Sequence, residues 1–239
     1  MFGLLFLLQL PRLSHLAALS RGPADGARAI AAFADFVAAI HANGLVLGAV
    51  FAVALGCSAT GGRASRHRVA PILARPLSRG QFVVGRTIGL AFVLGWVWLI
   101  PALALEVLRW GVDVPVRLHP LAYLVPFVLH MMLMTAGMAA GSIWRALPAS
   151  AIVATVSLCV LVLRGGERSP SSLWQQVGAA SRCGVPPLAD LLRAASPFAS
   201  PETVAAQAAL LLQSLAWIGI FVALTALRFE TCDFGRRSS

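Results

Sequence analysis

A chain of 239 residues that is 59% hydrophobic and 12% charged, with a mean hydropathy of +0.82, lies outside the range of soluble globular proteins. So little charge could not cover a water-exposed surface, whereas helices facing lipid need almost none. The formal charge of +10 comes from arginine alone, because the sequence contains no lysine, and it does not by itself point to nucleic acid. Composition therefore predicts an all-α fold, a polytopic transmembrane helix bundle.

The opening MFGLLFLLQL is apolar for about half the length that a membrane crossing needs, and it stops at Pro11 and Arg12. No positive residue precedes it and no small-x-small cleavage site follows, which argues against a secretory signal. Residues 1–39 are read as an incomplete first span and a loop. Five stretches of about 20 apolar residues come after it, at 40–60, 87–108, 121–141, 147–163 and 204–227. Counting the incomplete one, a six-span architecture is expected.

The first clear span carries a small residue at every fourth position, Gly44, Gly48, Ala52 and Gly56, and the spacing recurs in Gly85 with Gly89 and Gly137 with Gly141. Backbones approach closely along such faces. Packing inside one bundle is the favoured use of Gly44, Gly48, Gly56, Gly137 and Gly141, ahead of a subunit interface.

The segment 61–86 holds Arg63, Arg66, Arg68, Arg75, Arg79 and Arg86 with no acid among them. Arginine density in short loops marks the cytoplasmic side, so this segment is placed there. Alternation puts the turn at 142–146 and the tail at 228–239 on the same side, and the long loop 164–203 on the other. Within the segment, Pro76 lacks an amide hydrogen and disfavours a helical Arg75, so the chain must turn. Ser78 with Gln81 forms a capping-box pattern, which starts a new helix at about Arg79. That helix should run through Gly85 and Arg86 straight into the next span, giving a rigid rod rooted in a proline-fixed corner. Near its far end, Glu106 is expected to pair with Arg109 at the membrane interface.

In the span 121–141, His130, Met134 and Met138 recur at intervals of four, with Met131 and Met132 adjacent. Such a line could pass a soft Cu(I)-like ion. Ordinary methionine packing with a hydrogen-bonded His130 at a helix contact is the favoured reading, and no metal is expected. In the long loop, the apolar cluster Leu188 to Leu192 suits a surface-lying helix capping the bundle. Ser200, Pro201 and Glu202 then supply a cap, a first-turn proline and an acid for the start of the last helix.

Two stretches carry a family resemblance. LARPLSRGQFVVGRTIG, 74–89 with its preceding leucine, resembles the segment after the second span in permease subunits of type-2 ABC exporters, where Pro-x-Ser-Arg is followed by Gly-Lys. Pro76, Ser78, Arg79 and Gly85 match, and Arg86 stands where Lys is usual. The tail LRFETCDF, 227–234, resembles the Arg-Phe and Asp pattern with which members leave their last span. The resemblance implies the permease subunit of an ATP-driven exporter in the cytoplasmic (inner) membrane, a homo- or heterodimer of permeases surrounded by lipid, with a separate ABC ATPase subunit. It gives Arg75, Pro76, Ser78, Arg79, Gly85 and Arg86 an ATPase-coupling role.

The residues themselves leave a second reading open, a non-transporting membrane scaffold or assembly subunit whose basic loop binds anionic lipid or a cytoplasmic partner. Phosphate-loop, HExxH and GxSxG motifs are missing from the sequence, so ATP is expected to bind another chain, and neither a catalytic residue nor a cofactor is expected. The cysteines Cys57, Cys159, Cys183 and Cys232 form no CxxC pair, which gives no sign of a zinc site or a disulfide framework.

Overall fold

The computed structural model describes residues 26–60, 78–112, 120–144, 148–155, 157, 186–196, 198 and 207–231. These residues are helical apart from short connecting ends, and no strand occurs among them. In chain order the elements are α1 (Gly26–Thr60), α2 (Arg79–Val112), a 3-10 turn (Pro120–Tyr123), α3 (Leu124–Ile143), a short α4 (Leu188–Ala194) and α5 (Ala208–Thr231). Residues 148–155 add a further helical stretch between α3 and α4. Four helices among the described residues, α1, α2, α3 and α5, are long and apolar enough to cross a membrane. The chain is therefore a multi-pass membrane protein.

α3 is the axis of the bundle: it is the most buried of the four, and α1, α2 and α5 pack around it. Its sequence explains the position. Gly137 and Gly141 let α1 approach so closely that an added Cβ would meet the backbone of Val53 and Cys57, while Met132, Met134 and Met138 are buried in the core. From α1, Gly56 repeats the device against the Met134 carbonyl. Thr60 seals this end of the seam, its Oγ1 hydroxyl donating to the Met138 carbonyl at 2.7 Å. The buried hydroxyls of Thr135, Ser214 and Thr225 instead donate to carbonyls three or four residues back in their own helices, which satisfies them without water.

α1 begins at Gly26, ahead of the stretch at 40–60 expected from apolar density. Its leading turns bury Phe33, Phe36, Val37 and Ile40 against Leu105 of α2, while Arg28 and Asp35 face outward. With 35 residues it is roughly 50 Å long, against a hydrocarbon thickness of about 30 Å. The extra turns carry Arg28 and Asp35 among apolar residues, and their buried side chains pack on α2.

α2 starts at Arg79, as the capping-box pattern predicts. The Gln81 amide donates to Ser78 Oγ at 3.2 Å, and the Ser78 amide donates to Gln81 Oε1 at 3.0 Å. The helix then runs unbroken through 34 residues, with Pro101 inside it. Its outer face, including Phe92, Trp96, Val107 and Trp110, is exposed, as is the Leu212, Leu215 and Leu224 face of α5. In lipid these side chains meet a solvent of their own kind.

Two further expectations meet the structure. The expected span 147–163 is represented by the helical residues 148–155, of which Ala149 and Val153 pack on Cys57 and Ala140; the residues beyond 157 lie outside the description. The cap expected in the long loop is α4, whose Leu188 and Leu191 are buried in the same cluster as Val125 and Leu129 of α3. Ser200, Pro201 and Glu202 lie outside the described residues, and α5 is seen from Ala208.

Candidate functional site

Two places in the bundle gather polar chemistry, one at each end. At the end where α1 and α5 finish and α2 begins, the capped junction at Ser78 feeds α2. Arg75 and Pro76 lie outside the described residues, and of Arg79 the backbone alone is described, as the first residue of the helix. Gly85 lies on an open face, where an added Cβ would meet nothing within 4 Å. The Arg86 guanidinium carbon sits 5.8 Å from the centre of the Phe82 ring, and Phe82 in turn packs on Phe229 of α5 at 6.2 Å between centroids. Phe229 is buried. The fold thus brings together the two stretches that carry the family resemblance, more than a hundred residues apart in sequence.

At the opposite end, four aromatic rings from α1, α2, the 3-10 turn and α3 meet. His130, fully buried on α3, has both ring nitrogens engaged: Trp98 Nε1–H donates to Nδ1 at 2.7 Å, and Nε2 lies 3.0 Å from the Leu45 carbonyl, so Nε2 carries the proton and donates. The Trp98 and His130 rings are stacked at 5.3 Å. This is the hydrogen-bonded helix contact expected of His130. It leaves His130 no nitrogen lone pair for a metal, and Met138 Sδ lies 3.8 Å from the Thr87 hydroxyl, which donates to the Val83 carbonyl at 2.9 Å. Met134 is fully buried at the α1 contact.

Glycine makes the arrangement fit. A Cβ on Gly48 would stand 2.5 Å from His130 Cε1, and one on Gly44 would stand 3.3 Å from the Trp98 ring. Gly44 and Gly48 are thus the seats of two rings, and Gly56, Gly137 and Gly141 are the seats of backbone. The identical spacing of Gly85 and Gly89 faces open space.

Sequence reasoning missed the next shell. His41 on α1 is 4% exposed, lies 5.6 Å from Trp98 and 6.0 Å from Tyr123 between ring centres, and neither of its nitrogens has a hydrogen-bond partner among the described residues. Tyr123, 7% exposed in the 3-10 turn, likewise has an unpartnered hydroxyl. Burial first, and then the Glu106 carboxylate, push the Tyr123 phenol up to about 12, so it is a neutral O–H donor. Glu106 makes the expected pair with Arg109, but through one oxygen: Arg109 Nη2 and Nε donate to Oε1 at 2.6 and 3.0 Å, while Oε2 is buried without a partner. The signal that could have found His41 is its register, three and seven residues before Gly44 and Gly48 on one helical face.

His41, Trp98 and Tyr123 line a cavity of about 10 Å³ together with Gly44, Val97 and Pro101. Pro101 has no amide hydrogen, so it cannot donate the usual helical hydrogen bond to the carbonyl of Val97. Among the described residues no group of three or more His, Cys, Asp or Glu side chains converges as a metal site. The chain matches no protein-family profile, no curated protein and no solved structure.

Proposed function

We propose that this chain is the permease subunit of an ATP-driven type-2 ABC exporter in the cytoplasmic membrane. The observation that carries the reading is the junction at Ser78, where a double hydrogen-bonded cap starts a helix that continues for 34 residues to the far end of the bundle. A rod of that kind, bearing Val83 and Leu94 in the core, transmits displacement along its length instead of absorbing it. In the proposed mechanism a separate ATPase pair closes on nucleotide and presses on the basic segment ahead of Ser78. The corner at Pro76 turns that push into movement of α2, and Phe82 shares it with α5 through Phe229. Two permease copies form the path between them, and the stretch 147–163 and the opening residues complete a six-span subunit.

The test is whether an ABC ATPase from the same cell co-purifies with the full chain, followed by ATP hydrolysis in nanodiscs. Pro76→Ala and Arg79→Ala are expected to remove the permease-dependent part of the hydrolysis while membrane insertion and yield stay at wild-type levels. Failure of any ATPase to co-purify overturns the proposal. Unchanged hydrolysis in both variants also overturns it, and is the outcome that a lipid-binding scaffold predicts.

A further inference from the structure

We propose that the protein carries a hinge at Pro101, about which the last turns of α2 and the leading turns of α1 swing together against the rest of the bundle. The inference is independent of the transport reading, and it leaves α2 between Ser78 and Val97 as a continuous rod.

Three observations carry it. First, α2 changes neighbours within a turn of Pro101. Up to Ala102 it packs on the main bundle: Val83 and Leu94 share a core with α3 and α5, and Trp98 and Ala102 pack with Ala122 and Tyr123. Leu105 and Leu108 instead join a separate cluster with Phe33, Phe36, Val37 and Ile40 of α1, to which no described residue of α3, α4 or α5 belongs. The far ends of α1 and α2 thus form a body of their own. Second, the boundary between this body and the bundle is poorly filled. The cavity lies there, with Ile40 and Leu105 from one cluster and Trp98 and Tyr123 from the other on its walls. Walls this apolar hold no water, so the lining side chains lack contacts on that side. A filled interface would resist separation; this one gives up few contacts when the two bodies part.

Third, the backbone is weakest at the same level. Pro101 cannot donate to the Val97 carbonyl and its ring crowds that carbonyl, so α2 lacks one link of its hydrogen-bond ladder where it passes the cavity. On α1 the cavity is flanked by Gly44, the residue type whose backbone bends most freely. A void, an interrupted ladder and a change of packing partner at one level make a hinge. A bend of about 20° acting on the arm of roughly 14 Å from Pro101 to Trp110 moves its end by about 5 Å.

The experiment is pulsed dipolar electron paramagnetic resonance on the full chain in phosphatidylcholine nanodiscs, with the four native cysteines replaced by serine and spin labels attached in pairs at exposed positions. Trp110→Cys with Leu215→Cys reports across the hinge, Val93→Cys with Leu215→Cys reports on α2 ahead of it, and Ala31→Cys with Trp110→Cys reports within the swinging body. The first pair is expected to give a distance distribution about twice as wide as the other two, or two peaks about 5 Å apart. Pro101→Ala restores the missing amide donor and is expected to narrow the first pair to the width of the second. The second pair should not change in that variant, which shows that the bundle is intact. A first pair as narrow as the second without Pro101→Ala overturns the proposal, and so does a spread that survives Pro101→Ala. An Ala31 and Trp110 pair as widely spread as the first also overturns it, since the two arms would then move apart instead of together.

Discussion

Replacing Gly48 by alanine tests the seating of His130, and its size can be worked from the structure. The new methyl would stand 2.5 Å from His130 Cε1, 3.0 Å from Nε2 and 3.1 Å from Nδ1. An ordinary side chain would swing aside, but this ring is pinned by Trp98 at 2.7 Å on one edge and by the Leu45 carbonyl at 3.0 Å on the other. Relief must come from parting α1 and α3 or from breaking those bonds. Overpacking costs about 1–3 kcal/mol, and interhelical hydrogen bonds in membranes contribute about 0.6–1.7 kcal/mol each. The expected loss is about 2–4 kcal/mol, or roughly 30- to 700-fold in the folding equilibrium. Denaturation by sodium dodecyl sulfate in mixed micelles, followed by tryptophan near-UV circular dichroism, measures it. Gly89→Ala is the control: nothing lies within 4 Å of its Cβ, and helix propensity favours it by up to about 1 kcal/mol. The cycle is closed with His130→Ala, in whose background the cost of Gly48→Ala should fall below about 0.5 kcal/mol. A Gly48→Ala protein within about 0.5 kcal/mol of wild type, or a cost that survives removal of His130, refutes the reasoning.

Ser78→Ala removes the hydroxyl acceptor of the cap and should cost about 1 kcal/mol, with fraying of the first turn of α2 visible as faster amide exchange at Gln81. Cys57, buried against Gly137 and Ala149, should resist maleimide in the folded protein and react after denaturation in a variant with the other three cysteines replaced by serine; a cysteine at the neighbouring exposed Ser58 supplies the fast reference. Thr60→Val leaves the Met138 carbonyl without its interhelical donor and should destabilise by about 0.5–1.5 kcal/mol in the same denaturation assay. Cysteines placed one at a time from 66 to 79 should react with a membrane-impermeant reagent in inverted vesicles and not in intact cells, and the reverse pattern would overturn the orientation on which the coupling proposal rests.

Much of the fold was legible in the chain itself, because its causes are local. Lipid as solvent demands long apolar helices, so composition alone determined an all-helical membrane bundle. The start of α2 was equally legible: Ser78 and Gln81 satisfy each other's amides within four residues, and no distant contact is needed. The pairing of Glu106 with Arg109 belongs to the same class, being three residues apart on one helix.

What only the tertiary structure decided concerns groups whose partners come from elsewhere. The helix from Gly26 to Ile40 carries Arg28 and Asp35 among its apolar residues, and its contact with Leu105 of another helix is a matter of tertiary packing. Gly48 with Gly56 and Gly85 with Gly89 have the same spacing, yet the first pair seats a histidine ring and a carbonyl while the second faces open space. His41, Trp98, Tyr123 and His130 are scattered over four elements, and three-dimensional packing makes them one polar cluster. A repeat in sequence sets which residues share a face; the face that each helix turns toward its neighbours is set by the packing of the whole bundle.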